Sequence, residues 1–280
     1  MANHLIEAKE LHQRITDPNI IIVDCRFDLA DPDWGHADYL REHIPGAVYA
    51  HLDHDLSSPI TATSGRHPLP NPDSFVSFLS KAGIDSSKTV VVYDTAFGAF
   101  AARLWWLLRS YGHEDVLLLN GGFSAWKKEN FPLESGQCTN KPAVFQGQFS
   151  NKFLVKAKEL EATLMNPDFV LIDARAANRY IGIEEPIDTI AGHIPGAKNV
   201  FHQANLDAEG YFLPEKQLKR LYQFSSKTIK GENIILYCGS GVTSCLDLVA
   251  LAQIGIENAR LYAGSWSEWI RDPKRPKITP

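Results

Sequence analysis

The stretch Ile234-Ile235-Leu236-Tyr237-Cys238-Gly239-Ser240-Gly241-Val242-Thr243-Ser244 decides how the chain reads. It begins with an unbroken apolar run, the pattern of a strand covered on both faces rather than one. Small, permissive residues follow. Val242, Cys245, Leu246 and Val249 then fall on one face of a helix. A cysteine is therefore expected where a buried strand turns into a helix. N–H groups of such a loop, with the positive end of the helix macrodipole behind them, stabilise negative charge and can activate a thiolate. Cysteine is also a common small core residue. Gly239, Ser240 and Gly241 are poor core neighbours and good loop formers, however, and this favours a chemical role.

Outward from this loop, the chain repeats itself. Ile20-Ile21-Ile22-Val23-Asp24-Cys25-Arg26 matches Val170-Leu171-Ile172-Asp173-Ala174-Arg175, and His43-Ile44-Pro45-Gly46-Ala47 recurs as His193-Ile194-Pro195-Gly196-Ala197. Val90-Val91-Val92-Tyr93-Asp94 parallels Ile234-Ile235-Leu236-Tyr237-Cys238, so Asp94 stands where the second copy has its cysteine. Gly121-Gly122-Phe123-Ser124-Ala125-Trp126 answers Ala263-Gly264-Ser265-Trp266-Ser267-Glu268-Trp269. Each copy alternates apolar runs with helical spacing; Ala101, Leu104, Trp105 and Leu108 mark one such helix. The expected fold is α/β: two tandem domains, each a mainly parallel sheet flanked by helices and each with its own core. The boundaries read as a first domain over 1–135, a linker over 136–152 containing Gly136, Pro142 and Gly147, and a second domain over 153–280.

Composition bounds the chemistry. The 280 residues are 44% hydrophobic and 22% charged with a net charge of -5, and no basic run suggests a nucleic-acid surface. No apolar run approaches the roughly 20 residues that cross a bilayer, so no membrane role is expected. The start Met1-Ala2-Asn3-His4-Leu5-Ile6-Glu7 lacks the pattern of a signal peptide, which makes a cytoplasmic enzyme the simplest expectation. Cys25, Cys138, Cys238 and Cys245 form no C-x-x-C pair and have no histidines at metal-ligand spacing. Reduced thiols are expected, with neither a disulfide framework nor a metal.

The duplicated halves, the two His-Ile-Pro-Gly-Ala blocks, the Gly-Ser-Trp-Ser-Glu-Trp segment and Cys-Gly-Ser-Gly-Val-Thr together resemble the tandem-domain rhodanese-type sulfurtransferases, over nearly the whole chain. The loop is similar to that of the mercaptopyruvate branch; thiosulfate-preferring relatives carry basic residues where Gly239 and Ser240 stand. The resemblance implies a catalytic second domain and a first domain that, with Asp94 for cysteine, transfers no sulfur. It implies that Cys238 takes sulfur from a small-molecule donor, 3-mercaptopyruvate or thiosulfate, and becomes a persulfide stabilised by N–H donors across Gly239, Gly241, Val242 and Thr243. A thiophile such as cyanide, a thiol or a thioredoxin-like protein then takes the sulfur, with no cofactor.

Further roles follow from the resemblance. Ser240 offers its hydroxyl to the donor or shapes the loop, and Thr243 also suits the start of the helix. Arg179 matches the arginine that grips the donor anion, for which a guanidinium fork is suited. The second arginine usual in mercaptopyruvate enzymes is absent, with Ile187 at about its place. His43 corresponds to a histidine suggested for a Ser-His-Asp relay, with Asp31 or Asp33 as partners; its twin His193 argues instead for a turn shared by both halves. Arg26 and Arg175, each after an aspartate in both halves, read as structural ion pairs. The stretch Gly65-Arg66-His67-Pro68-Leu69-Pro70 occurs in the first half only and reads as interface charge or surface loop. A Cys-x5-Arg phosphatase is disfavoured because Ser244 holds the arginine position. A persulfide carrier or sensor acting with a protein partner is the alternative to an enzyme with turnover.

Overall fold

The computed structural model describes residues 3–223 and 229–280. Met1 and Ala2 of the expected first domain and 224–228 of the expected second lie outside them, and every count below refers to the described residues. The first half supplies β1 (Leu5–Ile6), β2 (Ile20–Asp24), β3 (Val48–Tyr49), β4 (Thr89–Tyr93) and β5 (Val116–Leu119). These form one sheet in the order β1-β5-β4-β2-β3, with every pair parallel. The second half supplies β6 (Val170–Asp173), β7 (Lys198–Asn199), β8 (Ile234–Tyr237) and β9 (Arg260–Leu261), parallel in the order β7-β6-β8-β9. Around the first sheet lie α1 (Ala8–Gln13), α2 (Trp34–Arg41), α3 (Pro72–Lys81), α4 (Ala101–Ser110) and α5 (Gly122–Lys128). The second half contributes α6 (Ala157–Thr163), α7 (Ala177–Tyr180), α8 (Glu215–Leu221), α9 (Ser244–Gln253) and α10 (Ser265–Trp269). The parallel α/β architecture read from the unbroken apolar runs is the one observed. Among the described residues no helix is long and apolar enough to cross a membrane.

The sequence repeats are structural repeats. β2 meets β4 with Asp24 opposite Tyr93, and β6 meets β8 with Asp173 opposite Tyr237. At the end of each central strand the tyrosine hydroxyl accepts an N–H from the His-Ile-Pro-Gly turn, Ile44 N to Tyr93 at 3.2 Å and Ile194 N to Tyr237 at 3.1 Å. Gly46 and Gly196 complete these turns at φ +77° and +81°, a left-handed backbone that favours glycine. Arg26 pairs with Asp24, and Arg175 with Asp173, at 2.6 Å in both cases and out of solvent. The structural role read from their repetition is what the geometry shows.

The cores depart from the expectation of one per half. Odd and even positions of a strand point to opposite faces. Ile20 and Ile22 accordingly join an outer cluster whose buried members all come from the first half, with Tyr211 of the second packed against its edge, while Ile21 and Val23 face inward. In the second half Leu171, Ile235 and Tyr237 face out, and Ile172, Ile234 and Leu236 face in. The two inward faces share one continuous cluster filled by α4 and α9, including Leu104, Trp105, Leu246 and Val249. The unbroken runs identify strands covered on both faces but carry no record of what covers them. One cover is the other half of the molecule. α4 therefore lies against α9, directly beneath the loop that opens at Cys238.

Candidate active site

The strand β8 ends at Tyr237 and α9 starts at Ser244, so 238–243 form the loop. Its shape is imposed from below. Cys238 N donates to Ser265 Oγ at 3.1 Å, and the carbonyls of Cys238 and Gly239 accept from Trp266 N and Ser267 N, each at 3.0 Å. Gly241 takes φ +77°, and a Cβ there would overlap the Ala263 carbonyl oxygen, so this position admits only glycine. The turn aims Gly241 N–H at Cys238 Sγ, 3.1 Å away. Burial pushes the Cys238 thiol up. The hydroxyls of Thr243 and Ser244, with the N–H groups of Ser244 and Ser240, outweigh it and hold the thiol below its ordinary value. Thr243 makes no side-chain cap to α9, so its hydroxyl, like that of the buried Ser244, is available to the anionic sulfur. Val242 packs its side chain into the shared core.

The first half shows what this cradle is built to hold. Asp94 occupies the place of Cys238 and is wholly buried. Its carboxylate accepts N–H bonds from Ala96, Gly98, Phe100 and Ala101 at 2.7–2.9 Å. Burial raises the Asp94 pKa and those donors oppose the rise. The same strand-loop-helix thus cradles a carboxylate in one copy and a sulfur in the other.

The first half also enters the second half's site, through the stretch 65–70. His67 Nδ1 lies 2.7 Å from Ser240 Oγ and its Nε2 3.4 Å from Asp53 Oδ1. With Nε2–H directed to Asp53, Nδ1 accepts the Ser240 hydroxyl proton. The contact holds the Asp53 pKa below the ordinary carboxylate value. Beside it, Arg66 N donates to Ser267 Oγ at 3.1 Å, and the Arg66 guanidinium pairs with Asp188. Arg179, on α7, bonds Glu185 at 2.6 Å and reaches the same Asp188 at 3.1 Å. A methyl group built on Gly239 would sit 2.6 Å from Arg66 Nη2 and 3.5 Å from Arg179 Nη1 and Nη2. Two guanidiniums, one from each half, converge over the loop. On the side of Arg66 and His67 a cleft of about 750 Å³ opens, lined also by Phe27, Leu29, Asp53, Ile60 and the half-exposed Ile187.

Cys238, Gly239, Ser240, Gly241, Thr243 and Arg179 are thus brought together, while His43 is not among them. Its Nδ1 is bonded to Tyr39 O at 2.7 Å, as His193 Nδ1 is to Tyr180 O at 2.8 Å, and its Nε2 lies 3.2 Å from Cys138 Sγ. The histidine on Ser240 is His67, and its carboxylate is Asp53 rather than Asp31 or Asp33, which are exposed on the surface. The ligand-type atoms of His43, Glu134 and Cys138 lie within 4.8 Å of one another, a grouping of separate segments that no spacing in the sequence showed. The stretch Gly65–Pro70, read as interface charge or surface loop, lies at the interface; what the sequence did not show is that His67 meets Ser240, that Arg66 converges with Arg179, and that Asp53, outside the stretch, stands behind His67.

The four thiols differ enough to be told apart in solution. Burial pushes Cys245 up to about 12 and Cys25 well above its usual value, and Cys138 is also raised, chiefly by burial. Only Cys238 is lowered. Since the thiolate is the reactive form, limiting iodoacetamide at neutral pH is expected to label Cys238 first. The labelling rate should rise with pH to a plateau whose midpoint lies below 9.0, the ordinary thiol value. Peptide mapping after one equivalent checks this; first labelling at Cys138 would refute the ordering.

Residues 7–129 and 156–272 each match the model of the rhodanese-like domain. A Pseudomonas aeruginosa protein named "Probable 3-mercaptopyruvate sulfurtransferase" is 45% identical over 277 residues, 98% of each chain. A Mycobacterium tuberculosis protein, provisionally named a thiosulfate sulfurtransferase, is 40% identical over 97% of this chain and 95% of its own. The structure of 3-mercaptopyruvate sulfurtransferase from Leishmania major superposes with a TM-score of 0.83 at 29% identity, covering 95% of this chain and 74% of that one.

Proposed function

The chain belongs to the rhodanese family as a tandem-domain sulfurtransferase, and from that membership we propose that it moves sulfur from 3-mercaptopyruvate, in preference to thiosulfate, through a Cys238 persulfide to a thiol acceptor. The observation that carries the donor choice is the convergence of Arg66 and Arg179 on Gly239, next to a Ser240 hydroxyl tied to His67. Two guanidiniums suit a carboxylate, and a hydroxyl on a histidine suits the neighbouring keto oxygen. Thiosulfate has no keto group to use the second feature. The arginine missing at Ile187 is, in this reading, supplied by Arg66 from the other half.

The Cys238 thiolate attacks the donor's thiol sulfur, forming an S–S bond as the C–S bond breaks. The electron pair of the C–S bond stays with carbon as the enolate of pyruvate. Ser240, with His67 and Asp53 behind it, hydrogen-bonds the enolate oxygen, and the persulfide proton returns to carbon to give pyruvate. The persulfide then carries its charge in the N–H cradle that holds a carboxylate at Asp94 in the first half. An acceptor thiolate attacks the outer sulfur, forms its own persulfide and releases the Cys238 thiolate. Asp188 is the resident counter-anion of the two guanidiniums. Burial raises its pKa against their pull, so a donor carboxylate can take its place.

The experiment is kcat/KM for 3-mercaptopyruvate and thiosulfate side by side, on the intact protein and on His67→Ala. The expected result is a preference for 3-mercaptopyruvate that shrinks about a hundredfold in the variant, the lower end for a lost acid–base partner. An equal loss with both donors would remove Ser240 and His67 from donor selection. Intact mass after incubation with donor is expected to show one added sulfur, on Cys238; sulfur elsewhere would overturn the nucleophile.

A further inference from the structure

One buried charge has no part in the chemistry above. Arg103 sits on α4, in the half without a nucleophile, with no exposed surface. Its Nη1 crosses to the catalytic loop and donates to the Gly241 carbonyl at 3.0 Å. Its Nη2 reaches the carbonyls of His67 at 3.4 Å and Leu56 at 3.5 Å, and Nε has no partner. The Trp106 ring lies 5.7 Å from the guanidinium carbon. Apart from the Cys245 thiol, which burial keeps protonated, its hydrogen-bond partners are neutral carbonyls, and among the described residues no carboxylate pairs with it. The buried carboxyl on the facing helix, Asp247, bonds Asn205 and Tyr222 instead, and burial pushes its pKa well up, which favours its neutral form. A guanidinium taken out of water without a counter-ion is strongly unfavourable.

The negative charge within reach is on sulfur. Burial pulls the Arg103 pKa down, and Cys245 and Cys238 act in the opposite sense. Gly241 links the two groups: its carbonyl receives Arg103 and its N–H meets Cys238 Sγ at 3.1 Å. Resting on the reading of Cys238 as nucleophile, we propose that Arg103 is a positioning residue. Its guanidinium, supplied by the first half, takes the Cys238 thiolate as counter-charge and holds the Gly241 N–H against the sulfur. Through the His67 carbonyl the same cation ties the loop that carries Arg66 and His67 to the loop that carries Cys238. The nucleophile in one half then depends on a charge in the other, which gives the half bearing Asp94 a direct part in the chemistry.

Other groups also face the sulfur. Thr243 and Ser244 lie in the loop, Ser265 beneath it, Cys245 and Asp247 along α9, and Arg66, Arg179 and His67 at the mouth. Of these, only His67, through its carbonyl, and Cys245 touch Arg103 itself. The test is the pH dependence of Cys238 alkylation by iodoacetamide in the full chain. It uses no sulfur donor and so stands apart from the identity of the donor. Arg103→Gln, which keeps a hydrogen-bond donor but no charge, is expected to raise the thiol midpoint by about one unit, a tenfold loss of thiolate below the midpoint. Arg103→Lys, which keeps the charge, is expected to leave it within about 0.3 unit. An unchanged midpoint in folded Arg103→Gln overturns the proposal. If that variant does not fold, Arg103→Lys decides: a rise of a full unit despite the retained charge overturns it, and a retained midpoint supports it.

Discussion

Cys238→Ala is expected to leave a folded protein whose sulfur transfer falls below about 10⁻⁴ of the original rate, the scale seen when a covalent nucleophile is removed. Cys238 is 1% exposed and its sulfur meets a backbone N–H at 3.1 Å. Cys245 is buried, donates to the Gly241 carbonyl at 3.5 Å, and is pushed up to about 12 by burial, which leaves it a thiol at neutral pH. Losing one buried sulfur atom should lower stability by no more than about 1–2 kcal/mol, the scale of a small truncation in a packed site. Initial rates with both donors, alongside a thermal melt, check the two halves of the statement. Residual transfer above about 1% would mean that another thiol carries the sulfur. Cys238→Asp offers a second arm. The first half already holds a carboxylate in this cradle, so the variant should fold and be equally inactive.

Arg66→Met is expected to raise KM for 3-mercaptopyruvate with little change in kcat, lowering kcat/KM roughly ten- to 150-fold. That range corresponds to the about 1.5–3 kcal/mol of a hydrogen bond to a charged group. A ground-state carboxylate contact acts on binding more than on the sulfur transfer itself, hence the expected split. The variant also frees Asp188 from one of its two cations, leaving Arg179 with both Glu185 and Asp188. Ile187→Arg in the same chain should recover part of the loss, because Ile187 lines the same cleft. Steady-state kinetics on the single and double variants provide the check. An unchanged KM in Arg66→Met would assign the second carboxylate contact elsewhere.

Much of the fold was legible because its signals are local. Short apolar runs, helical spacing and paired turns predicted strands and helices in both halves. The repeated Asp-x-Arg motif predicted the buried pairs of Arg26 and Arg175. The nucleophile candidate was legible for the same reason, since Cys238, Gly239 and Gly241 shape one another within a few residues. His43 was a relay candidate by resemblance alone; the repetition of its block as His193 pointed instead to a turn, and the histidine is bonded to its own turn in both places. Its counterpart at the site, His67, was hidden in a segment with neither periodicity nor a second copy.

From the sequence alone came the two parallel α/β halves, the cysteine at a strand end and the carboxylate at its twin position, all properties of neighbouring residues. The tertiary structure decided how the halves meet: one shared core across α4 and α9, and a site completed by Arg66, His67, Asp53 and Arg103 from the half without the cysteine. His67 and Ser240 are 173 residues apart in the chain. A contact across that distance leaves no trace in spacing or composition, because it arises only when two sheets bury their inward faces against the same pair of helices.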